Sequence, residues 1–321
     1  MNETILNKLS DFTMIFVGLT MEAIPFIVIG VTISAIIAKY VDSTWVRRYK
    51  SKSTFISHIQ SMFIGLFLPV CQCGNVPLAK RLSIIGFKPS EVITFMLAAP
   101  IFNPLVLITT LVAFNLDSNI AIIRVLGGGL IALITGLIFS LYPNQGEFLI
   151  QNDSQFLQPS KEFSFSANLN TPLNFSISQS IELAHDGSFV DNWRDEFFNV
   201  FKMLLIGCFL AASFQMLIPR SLFSSFVNSP SLSVIALMVL AFVVSICSSV
   251  DAFFALSFVG TFNLGSILAF LIFGPMVDIN SLMMLRSVFK NKTLVTMTIL
   301  VTLMSLIIGL AVNYFYKLNY L

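Results

Sequence analysis

The feature that most constrains this chain is a set of helix-breaking residues inside long uncharged stretches. Residues 53–79 and 92–116 contain no Asp, Glu, Lys or Arg, and residues 66–104 read LFLPVCQCGNVPLAKRLSIIGFKPSEVITFMLAAPIFNP. About 20 apolar residues cross a bilayer as a helix. Pro and Gly at membrane depth free backbone groups that lipid cannot satisfy, so they belong beside protein or a water-filled cavity. The stretch therefore predicts a transport site in a protein that crosses a membrane several times.

The composition excludes several other classes of protein. Only 11% of the 321 residues are charged and 56% are hydrophobic, whereas a soluble domain has about 25% charged residues. The sequence has no basic helix, zinc-finger spacing or aromatic RNA motif, so no nucleic-acid partner is expected. It also lacks a P-loop and an HExxH motif. We expect no enzyme, no cofactor and no metal site.

The distribution of apolar segments predicts the domain organisation. We expect an all-α polytopic membrane protein with about four hydrophobic segments in each of two halves, some of them broken or re-entrant. Between the halves lies a stretch rich in Asn, Ser and Gln, which predicts a flexible polar loop. The predicted domains are a first transmembrane repeat, the loop and a second transmembrane repeat, at residues 1–142, 143–195 and 196–321.

Positive charges bear on the orientation of the chain. Short loops rich in Lys and Arg stay in the cytoplasm, which places residues 39–57 inside and the N-terminus outside. If residues 58–82 crossed the membrane completely, Lys80, Arg81 and Lys88 would lie outside, against the same rule. A hairpin that enters and leaves on the cytoplasmic side would avoid this conflict. The sequence leaves both the crossing and the re-entrant hairpin open.

The two halves align at a nearly constant offset. Corresponding positions are separated by 175 to 177 residues. The pairs are Ile29-Gly30 with Ile206-Gly207, Cys71 with Cys247, Asn75 with Asp251, Pro100 with Pro275, and Asn103 with Asp278. Transporters are often built from internal repeats whose interrupted helices meet at a midplane site. A hairpin in each half would make the repeats inverted, and a full crossing would make them parallel.

Thiols are the first chemical feature of the predicted site. Cys71, Cys73 and Cys247 would approach one another if the two halves meet. Thiolates are soft ligands, so a soft solute such as a trivalent arsenical would suit two or three of them. Cys208 lies in the middle of an apolar segment without polar neighbours, and we expect it to act as a small buried hydrophobe.

Carboxylates are the second feature. No basic residue lies between Arg220 and Arg286 to pair locally with Asp251 or Asp278. An unpaired buried charge is costly, so these groups should meet a distant cation or cavity water, or carry a proton. We predict that they couple transport to protons, with Glu22 of the first apolar segment as a third candidate. The alternative is a hydrated carboxylate at the end of a segment.

The predicted solute-binding residues share a position at or near a break in an apolar segment. They are Cys71, Cys73, Asn75, Pro77, Pro100, Asn103, Cys247, Asp251, Pro275 and Asp278.

These motifs resemble those of a family of predicted bacterial permeases that includes the organoarsenical efflux permeases. The resemblance implies a multi-pass permease of the bacterial plasma membrane whose partners are a small-molecule solute and the lipid bilayer, with a homo-oligomer left open. Export of trivalent methylated arsenicals is one activity in that family. The residues that carry the resemblance are EAIPF at 22–26, PVCQCGNVP at 69–77, AAPIFNP at 98–104, CSSVDAF at 247–253 and GPMVD at 274–278.

Two other functions remain open from the sequence. A membrane thiol oxidoreductase is disfavoured because Cys71 and Cys73 form C-x-C rather than the C-x-x-C of thioredoxin-like motifs. A passive channel would share the broken helices but would not need a gradient.

Overall fold

A computed structural model describes residues 2–40, 53–67, 72–114, 118–142, 148, 189–217 and 230–319. The predicted solute ligand Cys71 and most of the predicted loop at 143–195 lie outside these residues. Within the described ranges the chain forms α-helices and no β-strand, which confirms the prediction of an all-α protein.

The described helices are α1 (Asn2–Tyr40), α2 (Thr54–Phe67), α3 (Gln72–Ile84), α4 (Pro89–Phe102), α5 (Pro104–Ala113), α6 (Ser118–Ser140), α7 (Phe189–Leu217), α8 (Pro230–Val244), α9 (Asp251–Leu256), α10 (Leu264–Met276), α11 (Ile279–Leu285) and α12 (Asn291–Asn319).

Six helical segments in the described chain are long and apolar enough to cross a membrane, and this confirms a multi-pass membrane protein. Two of the six are interrupted, α4–α5 at Asn103 and α10–α11 at residues 277–278. The other two predicted segments form shorter helices, α2–α3 and α8–α9. The six spans are Ser10–Ile37, Pro89–Ala113, Asn119–Ser140, Trp193–Gln215, Leu264–Leu285 and Asn291–Phe315.

Helices α2 and α3 form a re-entrant hairpin, which we call hairpin 1. The Ser57 hydroxyl donates to the Glu91 carboxylate at 2.6 Å, so α2 begins beside the start of α4. Further along, a Cβ atom on Gly65 would lie 2.6 Å from the Cα atom of Ala99, so α2 continues parallel to α4. Since α3 ends just before α4 begins, the chain returns to the end at which it entered. This geometry favours the re-entrant alternative over the full crossing for this segment.

Helices α8 and α9 form an equivalent arrangement, which we call hairpin 2. The hydroxyls of Ser233 and Ser266 are hydrogen-bonded at 2.7 Å, so α8 begins beside the start of α10. A Cβ atom on Gly274 would lie 3.5 Å from that of Ala241, so the two helices run parallel. Helix α8 ends at Val244, and the next residue, Ser245, has a left-handed φ of 49°. Helix α9 then leads back to the start of α10.

The two interrupted spans run in opposite directions. Helix α6 is antiparallel to α4, and its Gly136 near the C-terminal end packs against Thr94 near the start of α4. Close to that end, the ring of Phe139 contacts the ring of Phe148, with centroids 5.3 Å apart. The carbonyl of Phe148 in turn accepts a hydrogen bond from the backbone of Lys290, just after α11. The second interrupted span therefore ends where the first begins.

Because the two interrupted spans run in opposite directions, the two hairpins open toward opposite ends of the molecule. We call the end at which hairpin 1 opens the first end and the end at which hairpin 2 opens the second end. Helix α1 runs along α3: Gly30 packs on Gly74, and Ser34 lies 3.4 Å from the Pro77 carbonyl. Helix α1 therefore finishes at the first end.

Candidate functional site

The breaks in the helices meet in the interior, where the two halves contact each other. At the tip of hairpin 1, the Gln72 amide donates to the Met276 carbonyl at 3.2 Å. Beside it, the Asn280 amide donates to the Cys73 sulfur at 3.9 Å. The tip of hairpin 1 thus lies against the interruption between α10 and α11, and the halves do meet at Cys73.

The tip of hairpin 2 lies against the first half. Arg124 of α6 donates hydrogen bonds to the Asp251 carboxylate and to the Thr110 hydroxyl at 2.7 Å. The side chains of Arg124 and Asp251 are only 1% and 3% exposed. Asp251 thus lacks a local cation, as the sequence indicated, but it pairs with a distant one.

Asn103 and Asp278, which the offset paired, have the same structural role. Asn103 accepts a hydrogen bond from the backbone of Leu105 at 3.0 Å and caps α5. Asp278 accepts one from the backbone of Ser281 and caps α11. The two side chains belong to residues that are 2% and 5% exposed. Each therefore stabilises the helix that restarts after an interruption.

A carboxylate and two thiols lie beside these breaks. The Cys247 thiol is hydrogen-bonded to the Glu22 carboxylate. Cys208 is fully buried, as expected for a small hydrophobe, and it lies near Thr20 and the Asp278 carboxylate. Helices α1 and α7 therefore contribute to the same region as hairpin 2 and the α11 cap.

The remaining predicted residues flank this region. Asn75 lies in the first turn of α3, fully buried, and neither polar atom of its amide has a hydrogen-bond partner among the described residues. Pro77 lies within the same helix, and Pro100 and Pro275 lie within α4 and α10, just before their interruptions. A buried amide without a partner is costly, so Asn75 is available to a ligand or to water.

Two glycines at positions paired by the offset allow close packing of helices, one between α1 and α3 and the other between α7 and α11. A Cβ atom on Gly30 of α1 would lie 2.5 Å from the carbonyl oxygen of Gly74 in α3. A Cβ atom on Gly207 of α7 would lie 2.2 Å from the side-chain oxygen of Asn280 in α11. A larger residue at Gly30 would require a shift of the neighbouring helix, whereas a larger residue at Gly207 would first displace the Asn280 side chain.

The donor set does not form a metal cage. Across the described ranges, no group of three or more His, Cys, Asp or Glu residues lies close enough to hold a metal ion. The groups that lie around the helix interruptions are the partly exposed thiols of Cys73 and Cys247, several amides, and the carboxylates of Glu22 and Asp278. This chemistry suits a small soft solute held by one or two sulfur atoms and by hydrogen bonds.

Sequence reasoning missed Arg124. It is the only charged residue in α6, and an isolated charge within a membrane span is a functional candidate by default. The sequence indicates that Asp251 needs a distant cation, but it does not identify Arg124, which is 127 positions away.

Comparison with known proteins gives a consistent result. A family model described as a predicted permease matches residues 8–314. The UPF0718 protein YcgR of Bacillus subtilis (strain 168) is 37% identical over 281 residues, which cover 87% of this chain and 88% of that protein. A putative two-component membrane permease complex subunit of Streptococcus mutans serotype c (strain ATCC 700610 / UA159) is 31% identical over 301 residues, covering 92% and 94%. No solved structure matches significantly.

Proposed function

The chain belongs to this family of predicted permeases, and on that premise we propose that it is a secondary transporter that exports a small thiophilic solute by proton coupling. The observation that carries the proposal is the contact between the tip of hairpin 1 and the interrupted span of the other half, at Gln72–Met276 and Cys73–Asn280. Interrupted helices that meet in the interior are the usual setting of a transport site. The description of the family and the name of the streptococcal relative also favour transport over catalysis.

We further propose that residues 1–142 and 196–321 are inverted repeats. The hydrogen bond that joins the start of hairpin 1 to α4 has a counterpart at the start of hairpin 2. The two interrupted spans run in opposite directions, as inverted repeats require. The shared capping role of Asn103 and Asp278 supports the same pairing.

The proposed solute is a trivalent organoarsenical. Cys73 and Cys247 are partly exposed thiols, and Cys71 directly precedes the first residue of α3 in the sequence. Thiolates bind soft centres strongly. The resemblance to organoarsenical efflux permeases supports both the solute class and the outward direction.

The proposed proton carriers are Glu22 and Asp278. The Asp278 carboxylate caps α11, and its described neighbours include no cation; Glu22 contacts the Cys247 thiol. Asp251 is held in an ion pair with Arg124, which favours a structural role over proton transfer. A buried carboxylate without a counterion is a natural proton carrier.

The distribution of charge supports a cytoplasmic first end. Helix α1, hairpin 1 and α11 all finish there, and the basic residues at or near these ends are Lys39, Lys80, Arg81, Lys88, Arg286, Lys290 and Lys292. Lys and Arg accumulate in cytoplasmic loops. The name of the streptococcal relative also supports a membrane complex, with either a second subunit or a second copy of this chain as the partner.

Transport into everted membrane vesicles tests the function. Vesicles that contain the protein should accumulate a trivalent methylated arsenical when their lumen is more acidic than the medium, because protons that leave the lumen then drive the solute in. Vesicles that contain the double variant Cys73→Ser/Cys247→Ser should not. Flux that only reaches equilibrium and ignores the gradient would instead identify a channel. If the vesicles transport no arsenical but accumulate an antimonial when the gradient is imposed, the proposed solute is wrong and the proposed proton-coupled mechanism still holds.

A further inference from the structure

We propose that two charge clusters, one buried and one partly buried, lie on either side of the site and are the locks that close the transport pathway at its two ends. This inference rests on the proposed transport function. Lock 1 is formed by Glu196 with Ser34, Lys80 and Arg81. Lock 2 is formed by Arg124, Asp251 and Thr110.

Lock 1 joins hairpin 1 to the two helices beside it. The Ser34 hydroxyl of α1 contacts both oxygens of the Glu196 carboxylate of α7, at 3.1 and 3.2 Å. Lys80 and Arg81, near the end of α3, both act electrostatically on this carboxylate. One carboxylate from the second half thus attracts the two basic residues of hairpin 1.

Lock 2 joins hairpin 2 to the first half. Arg124 of α6 forms an ion pair with Asp251, the first residue of α9. The same guanidinium donates to Thr110 of α5. Each lock therefore connects the returning arm of one hairpin to helices of the opposite half.

The two locks lie on opposite sides of the site. Lys80 is eight residues beyond the tip residue Gln72, which at the rise of a helix is about 12 Å toward the first end. Thr110 is seven residues beyond the interruption at Asn103, about 10 Å toward the second end. A solute between the hairpin tips would have one lock above it and one below.

Charge pairs have the property that a reversible closure needs. A buried ion pair adds little stability over apolar packing of the same volume, because desolvation offsets its attraction. When water enters a pathway, however, separated charges are hydrated at small cost, whereas separated apolar surfaces are not. A contact that must form when the pathway is closed and dehydrated, and separate when the pathway opens and fills with water, is therefore better made from charged groups.

Labelling of the native thiols from each side of the membrane tests the locks. The full-length protein in right-side-out and inside-out vesicles is treated with a membrane-impermeant, positively charged methanethiosulfonate, and labelling of Cys73 and Cys247 is measured by mass spectrometry. Lock 2 is removed in Arg124→Ala/Asp251→Ala, and lock 1 in Glu196→Ala/Lys80→Ala/Arg81→Ala. Replacement of all charged members by a small apolar residue leaves no unpaired charge and no side chain long enough to close the gap.

We expect each variant to open one end only. Loss of lock 2 should raise the labelling rate from the second end at least about threefold, or ~0.65 kcal/mol by the gas-constant conversion, and leave labelling from the first end unchanged. Loss of lock 1 should raise the labelling rate from the first end by a similar factor and leave labelling from the second end unchanged. Arg194→Ala/Asp195→Ala removes an exposed ion pair of the same helix α7 and should label as the wild type does.

Three results would overturn the proposal. Wild-type labelling from both ends in both variants would show that the clusters close nothing, and a rise from the same end in both would show that they do not face opposite ends. Failure of the apolar variants to give folded protein would assign the clusters to folding alone. Labelling needs no transported solute, so an error in the proposed solute would leave this experiment unaffected.

Discussion

Gly30 of α1 packs directly on Gly74 of α3, with the position of a Gly30 Cβ atom only 2.5 Å from the Gly74 carbonyl oxygen. The first turn of α3 carries Cys73 and Asn75, so this contact sets how closely the candidate site approaches α1. A distance below 3.0 Å to a backbone atom cannot be relieved by a side-chain rotation. The helices themselves would have to separate.

The first prediction follows from that contact. Gly30→Ala should push α3 away from α1, cost about 1–3 kcal/mol of stability and strongly reduce transport. The matched control is Gly18→Ala in the same helix, because a Cβ atom there meets nothing within 4 Å. Thermal unfolding in detergent and vesicle transport measure the two effects. Equal behaviour of the two variants would contradict the contact.

The paired glycine provides a second prediction. Gly207→Ala would bring a Cβ atom to 2.2 Å from the Asn280 side-chain oxygen. Unlike the backbone carbonyl of Gly74, this atom ends a side chain that can rotate, although rotation would break the hydrogen bond to Cys73. We therefore expect a smaller loss of stability than in Gly30→Ala but a comparable loss of transport. Asn280→Ala/Gly207→Ala should restore stability and not transport.

The third prediction concerns the buried ion pair. Asp251→Leu alone leaves the Arg124 guanidinium buried without its charge partner, which typically costs about 3–5 kcal/mol. The double variant Arg124→Met/Asp251→Leu removes both charges and should recover most of that loss. A thermal-unfolding double-mutant cycle measures the difference. Additive effects of the two single substitutions would mean that the pair contributes nothing to the fold.

The position of the site could be predicted from the sequence because its residues visibly interrupt apolar runs. Pro100, Asn103 and Pro104 interrupt an apolar run in any fold, and the offset between halves paired Asn103 with Asp278 before their common capping role was visible. The re-entrant hairpin could also be proposed from the basic residues that follow residues 58–82.

The partners of the charged residues could not be predicted in this way. Arg124 meets Asp251 across 127 residues, and Ser34 meets Glu196 across 162. Such pairs depend on how the halves pack, and helical periodicity alone does not say which face of α6 or α7 the other half covers. Cys208 shows the same limit, since its apolar segment gave no sign that it would lie near Asp278.

The fourth prediction separates capping from proton coupling at Asp278. Asn is as good an N-cap as Asp, so Asp278→Asn should retain the cap of α11 and remove only the charge. We expect nearly wild-type unfolding but loss of gradient-driven accumulation, with passive exchange of solute retained. Asp278→Ala should in addition lose about 1 kcal/mol of stability. Gradient-driven accumulation by Asp278→Asn would exclude this carboxylate as a proton carrier.

The last prediction concerns the thiols. Cys73 and Cys247 are partly exposed and lie at the tips of the two hairpins, whereas Cys208 is fully buried within α7. If a soft solute bridges the two tips, Cys73→Ser and Cys247→Ser should each weaken its binding about tenfold or more. The loss in the double variant should be smaller than the sum of the two single losses, because the bridge is already lost once either end is removed. Cys208→Ala, which removes a thiol but no exposed sulfur, should bind the solute as the wild type does.

Titration of the purified protein with a trivalent methylated arsenical, followed by tryptophan fluorescence, measures these affinities. Independent, additive losses at Cys73 and Cys247 would mean that the two sulfur atoms bind separate solute molecules, and a loss at Cys208 alone would move the site into α7.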